Sequence, residues 1–448
     1  VFIVDVPVSQ SKNRINLLLL ISLFITQLDS GIMSTNLSSI SRTFALSPQE
    51  KSWVVAVYTL GLLFATPIMG SFIDRFGYRT VFLMELGFYF IGVVGIATSS
   101  SFTALLVARI IQSFGSSSIL TLALSRVFMI HTHKVSGKVG NVGALVALAT
   151  IVAPIISVVS LAKTQDWRAI YLVLAAMIFL IFLVAWVMIP KEILSSTETF
   201  DVKGNTLFVL ALVAFNLLLS RLFISGNLVE LLAYGILFCL TIGSFLVIEA
   251  RREANQEKVV FSRKLWTIAK YRMSLIGGIV TGLSMSLFAF FPSMIEVTFQ
   301  LNARKAGSFM TIMAIGTLIG SKLAGYWTGK KSAYHATRDS MIAVIISLII
   351  LYFSVASLPL FLTALFLFGI AIGMIMTVPL QVLIVEASPQ DRNTSLSLLS
   401  VSKKLGMTIG ITLMSIFAHF TQATGVHSMI LVLMVLTIAF VWTIRHKE

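Results

Sequence analysis

The chain has 448 residues, 57% hydrophobic and only 11% charged, with a mean hydropathy of +0.96. A soluble domain carries about 25% charged residues, so this chain has too little solvating surface to be one and reads as an all-α integral membrane protein. Its net charge of +15 invites a nucleic-acid reading, but where those charges fall decides against it, and the ten-residue alternating segments of a membrane β-barrel are absent.

Apolar stretches of about 20 residues, enough to cross roughly 30 Å of hydrocarbon, recur along the whole chain. Fourteen transmembrane helices are predicted, over 14–38, 52–73, 80–99, 102–128, 139–162, 169–189, 204–223, 229–249, 273–298, 306–328, 340–357, 360–384, 395–418 and 428–444. The first is too long for a cleaved leader, and no small-residue cleavage site follows it. Of the 33 Lys and Arg, 21 fall in segments on the side of the N-terminus, 7 on the opposite side and five inside spans. The positive-inside rule therefore puts both termini in the cytoplasm, and the even span count agrees. The expected setting is the plasma membrane, with anionic lipid headgroups as the partner of the basic face. Cys239 is the lone cysteine, so no internal disulfide is possible.

The longest polar interruption, 250–272, ends in FSRKLWTIAKYR and divides the chain. Three parts are expected: an N-terminal six-helix bundle over 1–190, two additional helices and a cytoplasmic linker over 191–272, and a C-terminal six-helix bundle over 273–448. The second span of each bundle runs into a related basic turn, GSFIDRFGYR at 70–79 and GYWTGKK at 325–331. Such internal repeats build the two rocking halves of many transporters.

The first of these turns is the most specific signal in the chain. Gly70, Asp74, Arg75, Gly77 and Arg79 form a cytoplasmic gating loop: glycines suit a tight helix-to-helix turn, and the acid and bases can pair with each other or with helix ends. Asp29 is the leading candidate inside a span. An acid deep in a membrane helix costs roughly 2.5–3.5 kcal/mol and normally faces a partner or a wet cavity. It lies about 22 Å past Arg14 at 1.5 Å per residue, and Arg109 lies about 10 Å below the outer end of its own span, so the two share a depth. Ser22, Thr26, Asp29 and Asn36 line one helical face, as do Arg109, Gln112, Ser113 and Ser116. Two polar stripes at one depth predict a shared water-accessible chamber, in which Asp29 and Arg109 form either a permanent ion pair or a mobile proton-coupling contact. Glu296, Glu85, Glu249 and Glu386 are expected at the membrane boundaries. Lys403 shares a face with Gly406 and Gly410, a close-packing seam, whereas Lys404 shares one with Ser400 and Thr408 and is a cavity candidate. His131 and His133 read as a solvated loop rather than a metal site, and no phosphate loop, catalytic constellation, metal or cofactor motif is present.

Several segments resemble the major facilitator superfamily, most closely its fourteen-helix drug:proton antiporters. Gly70, Asp74, Arg75, Gly77 and Arg79 match the family's loop pattern, and Leu28-Asp29 and Trp53 to Tyr58 are similar to its first two helix signatures. Arg109-Ile-Ile-Gln112-Ser113-Phe-Gly115 resembles its fourth-helix motif, with Ser113 at a usual glycine. Phe200-Asp201 with Gly204 resembles the entry to the extra pair, and Arg392 through Lys403-Lys404-Leu-Gly406 its thirteenth helix. The helix-five antiporter motif, Gly-Pro-x-x-Gly-Gly, stands here as Ala153-Pro154-Ile-Ile-Ser157-Val158, retaining only Pro154. The resemblance implies a major facilitator fold and a monomeric, non-enzymatic carrier that exchanges an amphipathic small molecule for protons, with Asp29, Arg109, Gln112 and Lys404 at the coupling and substrate site. Two alternatives stay open: a carrier or flippase of an anionic amphiphile or lipid, favoured by Arg109, Lys404 and Lys322, and a membrane sensor or scaffold that transports nothing.

Overall fold

The computed structural model describes residues 8–46, 48–130, 135–190, 202–222, 228–255, 257, 259, 261–301, 303–421 and 425–445. Apart from short 3-10 turns they form α-helices, and no strand occurs among them. In chain order these are α1 (Val8–Thr43), α2 (Pro48–Thr98), α3 (Phe102–Phe114), α4 (Ile119–Ile130), α5 (Val135–Thr164), α6 (Arg168–Met188), α7 (Val202–Leu222), α8 (Leu228–Ala254) and α9 (Arg263–Thr267). There follow α10 (Ala269–Met285), α11 (Phe291–Phe299), α12 (Ala303–Lys330), α13 (Ala333–Phe353), α14 (Leu358–Thr377), α15 (Pro379–Ala387), α16 (Arg392–Thr421) and α17 (Gly425–Arg445).

Among the described residues, eleven segments are long and apolar enough to cross a membrane; 203–219 and 430–443 are shorter apolar helices. The pair α10–α11, joined by a 3-10 turn over Ser286–Ala289, supplies the remaining crossing. This is the expected fourteen-helix, all-α architecture.

Breaks in the helices follow identifiable residues. α2 contains two spans joined at Gly77, whose φ of 77° and ψ of 164° belong to a region only glycine enters readily. The fourth span is split into α3 and α4 by Gly115–Ser118. Pro379 removes a backbone donor and ends α14 at Val378, and α15 begins on the proline itself.

The chain divides into two compact units, one of residues 1–131 and 148–198, the other of 132–147 and 199–448. The additional pair α7–α8 thus groups with the second unit. It packs through Phe208 on Phe245 and Phe215 on Phe238, at 5.2 and 5.4 Å between ring centroids. Only 6% of the apolar stretch of α8 is buried, so most of its surface is apolar and unpacked, as suits lipid.

Within the second unit, glycines set the packing distance. Membrane helices gain little from hydrophobic burial against each other, so close backbone approach and dispersion dominate. On α12 and α14, Gly316, Gly320, Gly369 and Gly373 each lie against backbone of the facing helix, and a side chain at any of them would collide with a carbonyl oxygen. The seam expected at Lys403, Gly406 and Gly410 runs along α10: Gly406 abuts the Ile279 carbonyl, and the Lys403 carbonyl abuts Gly282. In α5, Gly140 approaches Gly325 of α12, where an added Cβ would stand 3.0 Å from its Cα.

Gly77→Ala is expected to introduce about 1–3 kcal/mol of backbone strain, and Gly320→Ala a similar amount of overpacking. Gly87 has open space where its side chain would be, so Gly87→Ala should be neutral. Melting temperatures of the three purified variants in detergent check this; equal values would refute the packing assignment.

Candidate functional site

The first unit holds a buried polar cluster. α1 presents Ser22, Thr26, Asp29 and Asn36 inward, and α3 presents Arg109, Gln112 and Ser113. Arg109 Nη1 donates to Asp29 Oδ2 at 2.7 Å and to Gln112 Oε1 at 2.7 Å. Gln112 Nε2 donates to Asp29 Oδ1 at 2.9 Å, so both carboxylate oxygens are bonded. Arg109 Nε reaches the Val54 carbonyl on α2 at 3.4 Å. The cluster is buried: Asp29 is 0% and Arg109 1% exposed. The expected water-accessible chamber is therefore closed off at the pair, where Arg109 and Gln112 bond Asp29 directly, while Asn36 of the same stripe is buried with its amide atoms unbonded among the described residues.

Aromatic side chains close the cluster. The Arg109 guanidinium lies 4.1 Å from the centre of the Tyr58 ring, a cation–π contact worth about 2 kcal/mol when desolvated. Tyr58 Oη and Ser116 Oγ share a hydrogen bond of 2.8 Å. Tyr171 of α6 donates to Met33 Sδ at 3.5 Å, and Tyr89 of α2 is fully buried with no hydrogen-bond partner for its hydroxyl. Sequence reasoning missed Tyr89, Tyr171 and the Val54 carbonyl. Tyr58 lay inside a quoted motif, but aromatic residues in spans are too common to mark a site.

Small residues position Gln112. A Cβ on Gly92 would sit 2.5 Å from the Gln112 backbone nitrogen, and one on Gly95 would sit 2.9 Å from Ala108 Cβ. Gly61 faces Ser113 and leaves room for its hydroxymethyl. The larger residue that replaces the usual glycine on α3 is thus matched by a glycine on α2. A similar exchange occurs at the first position of the helix-five motif. Gly31 of α1 faces Ala153 and Pro154, where its Cβ would stand 2.6 Å from Ala153 Cβ and 3.3 Å from Pro154 Cδ.

One boundary expectation is overturned by a second buried carboxylate in the same unit. Glu85 is fully buried rather than interfacial. Its Oε1 accepts from Ser118 N at 2.7 Å, Ser118 Oγ at 2.8 Å and Ser117 Oγ at 3.2 Å, capping the N-terminus of α4 at the break. Negative charge is favoured at a helix N-terminus. Glu249 is likewise buried, accepting from the Phe261 N–H at 2.8 Å and tying α8 to the linker. Glu296 and Glu386 are exposed, and Glu386 pairs with Lys270 at 2.9 Å.

The gating-loop residues are placed on α2. Arg79 donates to the Trp186 carbonyl at 2.7 Å, holding the C-terminus of α6. Arg75 lies 5.1 Å from the Phe76 ring centre. Gly70 is buried in the helix, and the side chain of Asp74 lies outside the described residues. Lys404 is half-buried on α16, in the second unit. Lys322 donates to Asn141 Oδ1 at 2.6 Å. His131, His133, Phe200 and Asp201 lie outside the described residues, among which no group of metal-binding side chains occurs.

Comparisons with known proteins place this helical membrane chain in a family. A family model described as Major Facilitator Superfamily matches residues 19–251 and 274–448. The chain belongs to the major facilitator superfamily. It is 30% identical over 417 residues to the uncharacterized MFS-type transporter YfiU of Bacillus subtilis (strain 168), covering 90% of this chain and 78% of that protein. It is 24% identical over 441 residues to the multidrug efflux pump SdrM of Staphylococcus aureus (strain N315), covering 96% of each. Among solved structures it superposes on the human organic anion transporter MFSD10 (TETRAN) with a TM-score of 0.69 at 16% identity, over 95% of this chain and 99% of that one. This major facilitator protein is a secondary transporter and not an enzyme.

Removing one partner of a buried pair costs about 3–5 kcal/mol, whereas replacing both by apolar groups is much milder. Arg109→Met should therefore destabilise the protein strongly, and the double variant Asp29→Leu/Arg109→Met should recover most of the loss. Detergent melting curves of wild type, both single variants and the double variant give the coupling; additive losses would show that the pair is not the stabilising contact.

Proposed function

We propose that this transporter exports amphipathic small molecules in exchange for protons by alternating access, with Asp29 as the proton-binding group. The observation that carries the reading is the buried Asp29–Arg109–Gln112 cluster. In this arrangement both carboxylate oxygens are bonded and the side chain is fully buried. Separating α1 from α3 would take the guanidinium away from it. Protonation on an exposed face then neutralises it before the cluster closes again.

Other features support the reading. The fourth span, which carries Arg109 and Gln112, is interrupted beside them at Gly115–Ser118. Re-formed packing at Gly31 and Ala153 keeps α1 and α5 close despite the lost helix-five glycines. The resemblance to a named multidrug efflux pump over nearly the whole chain fits the cargo class. Both termini lie in the cytoplasm, the location is the plasma membrane, and the monomer is the working unit in this reading. Anionic headgroups meet the basic cytoplasmic face.

One proton moved down 100 mV provides about 2.3 kcal/mol, enough for about a 50-fold accumulation gradient. In inverted vesicles, uptake of a fluorescent amphiphile should follow an imposed proton gradient in wild type. In Asp29→Asn the gradient-driven component should disappear while counterflow exchange continues. Gradient-driven uptake by Asp29→Asn at the wild-type level would sink the proposal.

A further inference from the structure

The second unit contains a cation that the Asp29 mechanism does not use. Lys403 lies in α16, where its backbone is locked against α10 at Gly282. Its ammonium crosses to α14 and donates to the Met376 carbonyl at 2.5 Å. That carbonyl is among the last four of α14, which have no partner within the helix once it stops at Val378. A cation at a helix C-terminus is favourable, so a capping role accounts for one of the three ammonium donors.

It does not account for the charge. Among the described residues, no carboxylate bonds Lys403. The described acids of the second unit are engaged elsewhere or exposed: Glu249 and Glu253 bind the linker, Glu257 pairs with Arg252, Asp339 with Lys331 and Glu386 with Lys270, Glu296 is exposed, and Glu230 and Asp391 have contacts of their own. Across the break, Gln381 is buried with its Oε1 unbonded, so the polar groups around Val378 do not complete each other. Lys403 is half-buried in a membrane helix; a cation there without an anion is costly, and such residues mark substrate paths.

We infer that Lys403 is the charge partner of the cargo: the transported amphiphile carries an anionic head, carboxylate, sulfonate or phosphate, which binds the Lys403 ammonium at the α14–α15 break. This rests on the transport reading above and adds the charge of the substrate to it. Lys403→Gln keeps an N–H donor for the Met376 carbonyl and removes only the charge; Lys403→Arg keeps the charge.

Binding of two dyes with related ring systems, anionic fluorescein and cationic pyronin, is read by fluorescence anisotropy on purified protein, which needs no proton gradient. Wild type should bind fluorescein in preference to pyronin. Lys403→Gln should weaken fluorescein binding by about tenfold or more, leave any pyronin binding and the melting temperature unchanged, and be rescued by Lys403→Arg. Undiminished fluorescein binding in Lys403→Gln, equal weakening of both dyes, or a wild type that prefers pyronin would overturn the inference. None of these would bear on Asp29, whereas failure of gradient-driven uptake with intact fluorescein binding would overturn the proton-exchange reading alone.

Discussion

The first unit is organised by one demand: a carboxylate and a guanidinium inside a membrane protein must find each other. The cost of leaving either alone exceeds that of most packing defects. Asp29 and Arg109 therefore fix the approach of α1 to α3, and Gln112 adds one hydrogen bond to each. Around them Tyr58, Tyr89 and Tyr171 exclude water.

Charge elsewhere obeys a related rule. Glu85 sits at the N-terminus of α4, Lys403 at the C-terminus of α14 and Arg79 at the C-terminus of α6. Glu253 receives the Ser262 hydroxyl and the Arg263 and Lys264 N–H groups at the start of α9. In each case the sign of the side chain opposes the partial charge of the helix end. Helix breaks leave backbone groups without partners, and in a low-dielectric interior these become the places where a charge is tolerated. Glu85 and Lys403 show that the breaks and the buried charges are one feature.

Packing explains how the family's glycine pattern can erode without loss of contact. What a close crossing needs is one missing side chain, and either helix can supply it. Gly61 supplies it opposite Ser113, and Gly31 opposite Ala153. A motif read along one helix registers a loss where the pair of helices has kept its distance.

Hydropathy and charge placement in the sequence were enough to establish a membrane protein of fourteen helices, because the bilayer sets segment length and admits few charges. Depth counting brought Asp29 and Arg109 to one level, and helical periodicity put Gln112 beside Arg109. Only the tertiary structure decided that the cluster is buried, since burial depends on how three helices and their tyrosines close around it. Glu85 and Glu249 looked interfacial because linear distance from the nearest basic turn says nothing about which neighbour waits at that depth. Lys403 looked like part of a packing seam, which its backbone is. The destination of its side chain depended on a break in another helix, and no pattern local to α16 could announce it.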